Sequence, residues 1–362
     1  SDLTATTARP TASALPALVF TVFVGTMAMM AFVAVVGPVV RLLGLAEWHA
    51  GLSVSAAGVL LILSARRWGR LSDRIGRRRV LLIGLAGYAV VYIVMAVFVD
   101  AALRAPPAVL LSVAMLVATR ALIGLFWAAV SPTAMATIAD EMPAGLRSAA
   151  MAKLGTASAV GMVFGPAAAG WIAPHGIAFT LYIAAALPLL SLAVVWSRLP
   201  ETTPADVGRA GPRPTLAYAD PRLRLPLCAV FVAMASVSIA QVVVGFFAID
   251  RLQLSPAEGA RVAGLALTAV GLGLILAQSL VMRLKAVPPA RWITIGALVS
   301  GLGFASSALI VMEWQLLLAY GVGMAAAAAP LMRHTDAIAA QLLQPGDYVQ
   351  QLRATTPEIR QP

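Results

Sequence analysis

Apolar runs long enough to cross a bilayer, cut by short charged turns, recur along this chain of 362 residues. One membrane-spanning helix needs about 20 mostly apolar residues. Ten such stretches fall near residues 14–40, 50–65, 80–99, 108–138, 148–173, 177–197, 225–249, 260–282, 292–312 and 315–332. Only 11% of the residues are charged and the mean hydropathy is +0.90, where soluble domains carry about 25% charged residues. The solvent for most of the chain is therefore lipid. Hydrocarbon offers no partner for backbone N–H and C=O groups, so the spans must be helices. Disorder, a collagen-like repeat, a disulfide scaffold and a water-soluble enzyme are excluded. The single cysteine, Cys228, lies in an apolar run, cannot form an intramolecular disulfide, and is expected as a small buried residue.

The chain carries 26 Lys+Arg against 15 Asp+Glu, a formal charge of +11. Such a balance raises nucleic acid as a partner, but the positions of the charges argue otherwise. With a cytoplasmic N-terminus, 18 basic residues fall on the inner side and four (Arg41, Arg104, Arg251, Arg261) on the outer. This is the positive-inside asymmetry of a multi-pass protein of the inner (plasma) membrane, and it accounts for the basic charge without nucleic acid. The uncharged stretch Pro10–Val40 is 31 residues long, too long for the roughly 7–15-residue core of a signal peptide, and reads as the first span.

The spans form two groups. Residues 1–197 hold six, and residues 198–224 hold eight charges and five prolines with no helical apolar face, as expected of a cytoplasmic linker. Residues 225–332 hold four more, and residues 333–362 form a polar tail. A break after six spans suggests a six-plus-six repeat of the transporter kind. The expected fold is an all-α integral membrane bundle with six N-terminal spans and an incomplete C-terminal half of four.

The most informative segment lies between the second and third spans: Gly69-Arg70-Leu71-Ser72-Asp73-Arg74-Ile75-Gly76-Arg77-Arg78-Arg79. Gly69 and Gly76 suit close backbone approach or a positive φ, and the arginines suit an anionic cytoplasmic leaflet. A topological loop would not require two glycines seven apart around Asp-Arg. The segment resembles the signature G-x-L-(A/S)-D-(R/K)-x-G-(R/K)-(R/K) of the major facilitator superfamily at every defining position. Three further segments agree in order. Arg120-Ala-Leu-Ile-Gly124 in the fourth span resembles the R-x-x-x-G element of proton-coupled members. Asp140 to Arg147 resembles the acidic inner loop that follows it. Gly161-Met-Val-Phe-Gly165-Pro166-Ala-Ala-Ala-Gly170 in the fifth span is similar to the G-x-x-x-G-P-x-x-G-G element of exporters, with Ala169 in place of one glycine.

The resemblance implies roles. Arg120 lies roughly 18 Å into its helix, near mid-bilayer, where a charge costs at least about 2.5–3.5 kcal/mol. It is expected to take part in proton coupling or to bind an anionic substrate group, with pairing to helix carbonyls as the competing explanation. Asp73, Arg77 and Asp140, with Arg74, Arg78 and Arg147 beside them, are expected as a gating charge cluster. Gly161, Gly165 and Ala169 share a helical face and permit close packing, and Pro166 bends the helix. Asp250 is the foremost candidate for the proton-carrying acid, since the resemblance leads one to look for an acid in helix one and none is there. Gln241, Gln278, Gln315, Tyr92 and Trp127 are candidates for lining a cavity, with ordinary packing as the alternative.

His49, His175 and His334 have no metal-ligand spacing, and neither a nucleophile–base arrangement nor a phosphate-binding lysine loop is visible. No cofactor is implied, and an enzyme or an ATP-driven pump is disfavoured. The expected function is proton-coupled efflux of a small amphipathic molecule by a monomer. The alternatives are a proton-coupled importer of an organic acid or sugar, or a truncated membrane protein that does not transport.

Overall fold

The structure, a computed structural model, describes residues 11–200, 221–283, 289–324 and 326. Its helices are α1 (Thr11–Leu42), α2 (Trp48–Ile75), α3 (Arg77–Arg104), α4 (Val109–Glu141), α5 (Ala144–Ile172), α6 (Ile177–Arg198), α7 (Pro221–Leu252), α8 (Pro256–Arg283) and α9 (Pro289–Ser306). Residues 313–324 are also helical, and there is no strand among the described residues. Eight of these helices are long and apolar enough to cross a membrane. The ninth and tenth stretches expected from the sequence are shorter within the described residues, at 18 residues for α9 and over 313–324 for the last. Residues 1–10, most of the expected linker (201–220) and the polar tail 333–362 lie outside the described residues.

Two expectations need correction. The arginine-rich connection is not a loop: α2 continues to Ile75 and α3 starts at Arg77, so Gly76 alone makes the break, at φ 96°. A side chain at that angle is strained, so glycine is required there. Arginine is a good helix former, which is why a charge run cannot mark a loop by itself. Helix α7 begins at Pro221, four residues before the expected start at 225, because proline at the first helical position forfeits no hydrogen bond.

Helix α1 is central, packing on α5 and α6 of its own half and on α7 and α8 of the other. Helix α4 packs on α2 and α3. Phe32, Tyr88, Tyr92, Leu85, Met95 and Ile123 are fully buried between them. Buried tyrosine hydroxyls need acceptors: Tyr88 donates to Gly25 O at 3.1 Å and Tyr92 to Ala28 O at 2.9 Å, which ties α3 to α1. The outer surface is as apolar as the interior, with Ile62, Leu110 and Leu276 each more than 70% exposed. Cys228 is exposed, against the expectation of burial. In lipid an apolar run does not distinguish inward from outward positions.

Candidate functional site

Where α2 ends, α3 begins and α4 ends, on the side that the charge asymmetry assigns to the inside, Asp73, Arg77 and Asp140 come together. The Arg77 guanidinium lies 2.8 Å from the Asp73 carboxylate and 2.9 Å from that of Asp140, and also donates to Ser72 Oγ at 3.0 Å. All three charged residues belong to the N-terminal half. The pairs therefore fix three helices to one another, and do not themselves bridge the halves. Arg78 donates to Trp196 O at 2.7 Å. Arg147 bonds Met142 O at 2.9 Å, within its own turn. Gly69 has neither of the reasons the sequence suggested, since it sits inside α2 and a Cβ there would meet nothing within 4 Å.

Arg120 is buried in the N-terminal half with 1% of its surface exposed. Its guanidinium carbon sits 4.4 Å from the centroid of the Phe32 ring, a cation–π geometry, while Nε and Nη1 have no hydrogen-bond partner. Gly124, one turn on, is required by close packing: a Cβ there would stand 2.0 Å from Ala57 O of α2. Trp127 packs on Tyr88 with the ring planes tilted at 56° and the centroids 5.7 Å apart, and its ring lies against Gly25.

The glycines of α5 divide between two neighbours. A Cβ at Gly161 or Gly165 would come within 2.5 Å of Phe23 O or Met27 O of α1, whereas Gly170 faces Gly264 of α8, where a Cβ would meet the opposing Cα at 2.8 Å. The first two hold the half together; Gly170 joins the halves. A second such contact pairs Gly37 of α1 with Gly245 of α7, whose backbone carbonyl carbon would lie 3.2 Å from a Cβ. Beyond it, Arg41 at the end of α1 forms ion pairs with Glu47 at 2.7 Å and with Asp250 of α7. These contacts lie on the side that the charge asymmetry assigns to the outside.

Between the halves, on the inner side of that seam, lies a cavity of about 150 Å³ walled by α1, α5, α7, α8 and Met324. Gln241 is the single side chain on its wall with a polar nitrogen or oxygen; Met30, Met162, Val163 and Leu267 typify the rest. Of the residues singled out for proton coupling or substrate, Gln241 alone lines it. Arg120, Gly124 and Trp127 sit behind α1, and Asp250 lies in the outer seam. Gln315 accepts from the Val311 and Met312 amides and so caps a helix; the Gln278 side chain lies outside the described residues. A wider groove of about 320 Å³ between α2 and α7 opens near Glu47 and Trp48.

Sequence reasoning missed Arg41 and the two inter-half glycine contacts. Their signal was glycine at matching outer depths in α1, α5, α7 and α8. It also missed Ser-Pro-Ala-Glu over 255–258, a capping box that starts α8, in which Ser255 N donates to Glu258 at 3.0 Å.

Comparison with known proteins agrees with this architecture. Residues 18–341 match the model of the Major Facilitator Superfamily. The multidrug efflux pump LfrA of Mycolicibacterium smegmatis is 38% identical over 145 residues, 38% of this chain and 26% of LfrA. The class G tetracycline resistance protein of Vibrio anguillarum is 31% identical over 304 residues, 80% of this chain and 73% of that protein. A variant of the nucleoside transporter NupG superposes with a TM-score of 0.71 at 13% identity, covering 92% of this chain and 84% of that one. A bacterial homolog of the human lysosomal transporter Spinster, solved inward-facing and unoccupied, gives 0.68 at 16% identity over 90% and 74%. At such identities the likeness is one of fold. The chain spans 26% to 37% of the length of the first curated relatives it matches. With the family model covering most of the sequence, and with six helices packed against a second group across a central cavity, the chain belongs to the Major Facilitator Superfamily, a family of membrane carriers and not of enzymes.

Proposed function

We propose that this chain is a secondary transporter of the inner membrane, with a cytoplasmic N-terminus, that exports a small amphipathic molecule in exchange for protons by alternating access. The observation that carries the reading is the pairing, among the described residues, of an apolar cavity between the halves with a tight seam beside it. Gly37 against Gly245, Gly170 against Gly264, and the Arg41–Asp250 pair form that seam. Glycine-to-glycine contacts let two backbones approach closely without interlocking side chains, so the halves can separate there at modest cost. The cavity is then the substrate site, with Gln241 as its polar contact and the methionines as its adaptable wall.

Asp250 is the proposed proton carrier. The Asp73–Arg77–Asp140 cluster keeps the inner ends of α2, α3 and α4 in register as the halves move. Helix α5, which carries Pro166 and faces α1 on one side and α8 on the other, is the element shared by seal and cavity. The resemblance to exporter elements in that helix, together with efflux proteins among the relatives, supports export over import.

The test is counterflow in proteoliposomes containing this chain, with a panel of labelled amphiphiles and an imposed proton gradient of either sign. The expected result is substrate flux opposite to the proton flux. Flux in the same direction as protons would make the chain an importer, and absence of counterflow across the panel would remove the transport reading.

A further inference from the structure

The charge inventory of the membrane interior points to a substrate class. The acids of the described helices all lie within about a turn of a helix end: Asp73, Asp140 and Glu141 at one side of the bundle, Asp100, Asp250, Glu258 and Glu313 at the other. Among the described residues no acid lines the cavity between the halves. The one buried charge among the described residues is the Arg120 guanidinium, 1% exposed, with Nε and Nη1 unpartnered and no acid paired with it there.

The position of Arg120 relative to the cavity follows from α1. Phe32, whose ring lies against the guanidinium, is on one face of that helix, while Met30 and Val33 on another line the cavity. One helix, about 10 Å across, therefore separates the positive charge from the place where a ligand would sit. Arginine carries its charge permanently, and Phe32 offers it only a quadrupole. Its field reaches the cavity unneutralised by any nearby carboxylate. At about 10 Å and an effective permittivity of about 20, two unit charges interact strongly enough to change binding by roughly tenfold.

We propose that the cavity takes lipophilic molecules that are neutral or negatively charged, and rejects organic cations. This rests on the reading of the cavity as the substrate site. A cation entering the cavity would lose its hydration and find no carboxylate, one amide and a repelling guanidinium. A neutral aromatic amide would meet the methionine wall and hydrogen-bond Gln241. A carboxylate would gain the attraction of Arg120 as well, which has no acid paired with it among the described residues.

The experiment uses three probes on one ring system: 2-naphthamide, 2-naphthoate and 2-naphthyltrimethylammonium. Each is measured for saturable binding to the purified full chain by equilibrium dialysis against a detergent-matched blank. The amide and the carboxylate are expected to bind, the carboxylate at least as tightly, and the ammonium at least tenfold more weakly than the amide. In Arg120→Gln the carboxylate should lose about tenfold and the amide should be unchanged. In Gln241→Glu, which adds an acid at constant shape, the ammonium should gain about tenfold, and this arm stands even if Arg120→Gln does not fold. Ammonium binding as tight as the amide would overturn the proposal while leaving the cavity a substrate site. Saturable binding of none of the three would overturn the site itself, and the proposal with it.

Discussion

Arg77, at the start of α3, donates from Nε to Asp140 Oδ2 near the end of α4 at 3.0 Å, and its Nη2 lies 2.9 Å from the same oxygen in an ion pair. The guanidinium fork also reaches Asp73, so one planar group holds two carboxylates on two different helices. Lysine, a point charge with rotatable donors, cannot reproduce this arrangement.

Arg77→Lys is therefore expected to lower transport well below the parent rate while costing only about 0–1 kcal/mol of stability, because Asp140 is half exposed and its pair is screened. Counterflow rate and melting temperature, measured on the same preparation, separate the two effects. Normal transport in Arg77→Lys would remove the fork geometry from the mechanism.

The glycines make opposite predictions. Gly124→Ala places a Cβ 2.0 Å from a backbone oxygen of α2, and overpacking of this kind costs about 1–3 kcal/mol. Gly69→Ala meets open space inside a helix and should gain up to about 1 kcal/mol from helix propensity. Thermal unfolding in detergent should show the first variant melting lower than the parent and the second no lower. The reverse order would contradict the packing described for α2 and α4.

The contrast shows what the sequence could and could not specify. Span count in the first half, the basic skew and the Asp73–Arg77–Asp140 association were legible, because apolar length and charge placement act locally. Whether Gly69 or Gly124 is the tight one was not. Both occur in equally suggestive motifs, and only the neighbour's backbone decides. Arg120 could be placed at mid-bilayer by counting along its helix, but its partner could not. The ring over it, Phe32, comes from α1, and nothing in the spacing of α4 indicates which face of which helix lies opposite. The outer seam was missed for the same reason, since Gly37 and Gly245 are more than two hundred residues apart and meet only after the halves dock.

Membrane topology follows from the placement of 18 basic residues inside and four outside. With Cys228 replaced by alanine, Pro204→Cys in intact cells should resist a membrane-impermeant thiol reagent and Gln253→Cys should react. Reaction at Pro204→Cys would invert the assignment, and with it the identification of the sealed side as the outer one.

Arg120→Ala should lower transport of an anionic substrate by about tenfold and leave insertion and folding nearly intact. Its Nε and Nη1 make no hydrogen bond, so truncation breaks no polar network, and the cavity left behind is offset by removal of a buried charge whose desolvation is unfavourable. Arg120→Lys should retain partial transport, because an ammonium can still sit over the Phe32 face. A variant that inserts, folds and transports at the parent rate would show that the guanidinium serves packing alone.

The outer seam gives the most direct test of alternating access, because its two kinds of contact should fail to different degrees. A leucine at position 264 cannot be accommodated when the halves are closed, since even a Cβ there would stand 2.5 Å from Pro166 O and 2.6 Å from Gly170 Cα, and backbone atoms cannot move aside cheaply. Gly264→Leu should therefore shift the population toward the outward-open state by about tenfold or more, in line with about 1–3 kcal/mol for overpacking. Asp250→Asn removes only a partly exposed ion pair with Arg41, worth about 0–1 kcal/mol, and should shift it by a few-fold at most. Met30 lines the cavity on the inner side of the seam, so a cysteine at that position, in the Cys228→Ala background, reports the opening. Labelling of Met30→Cys from outside intact cells should be slow in the parent, modestly faster with Asp250→Asn and much faster with Gly264→Leu. Equal labelling in all three would mean that these contacts do not close the outer side, and that the seam is a static interface between the halves.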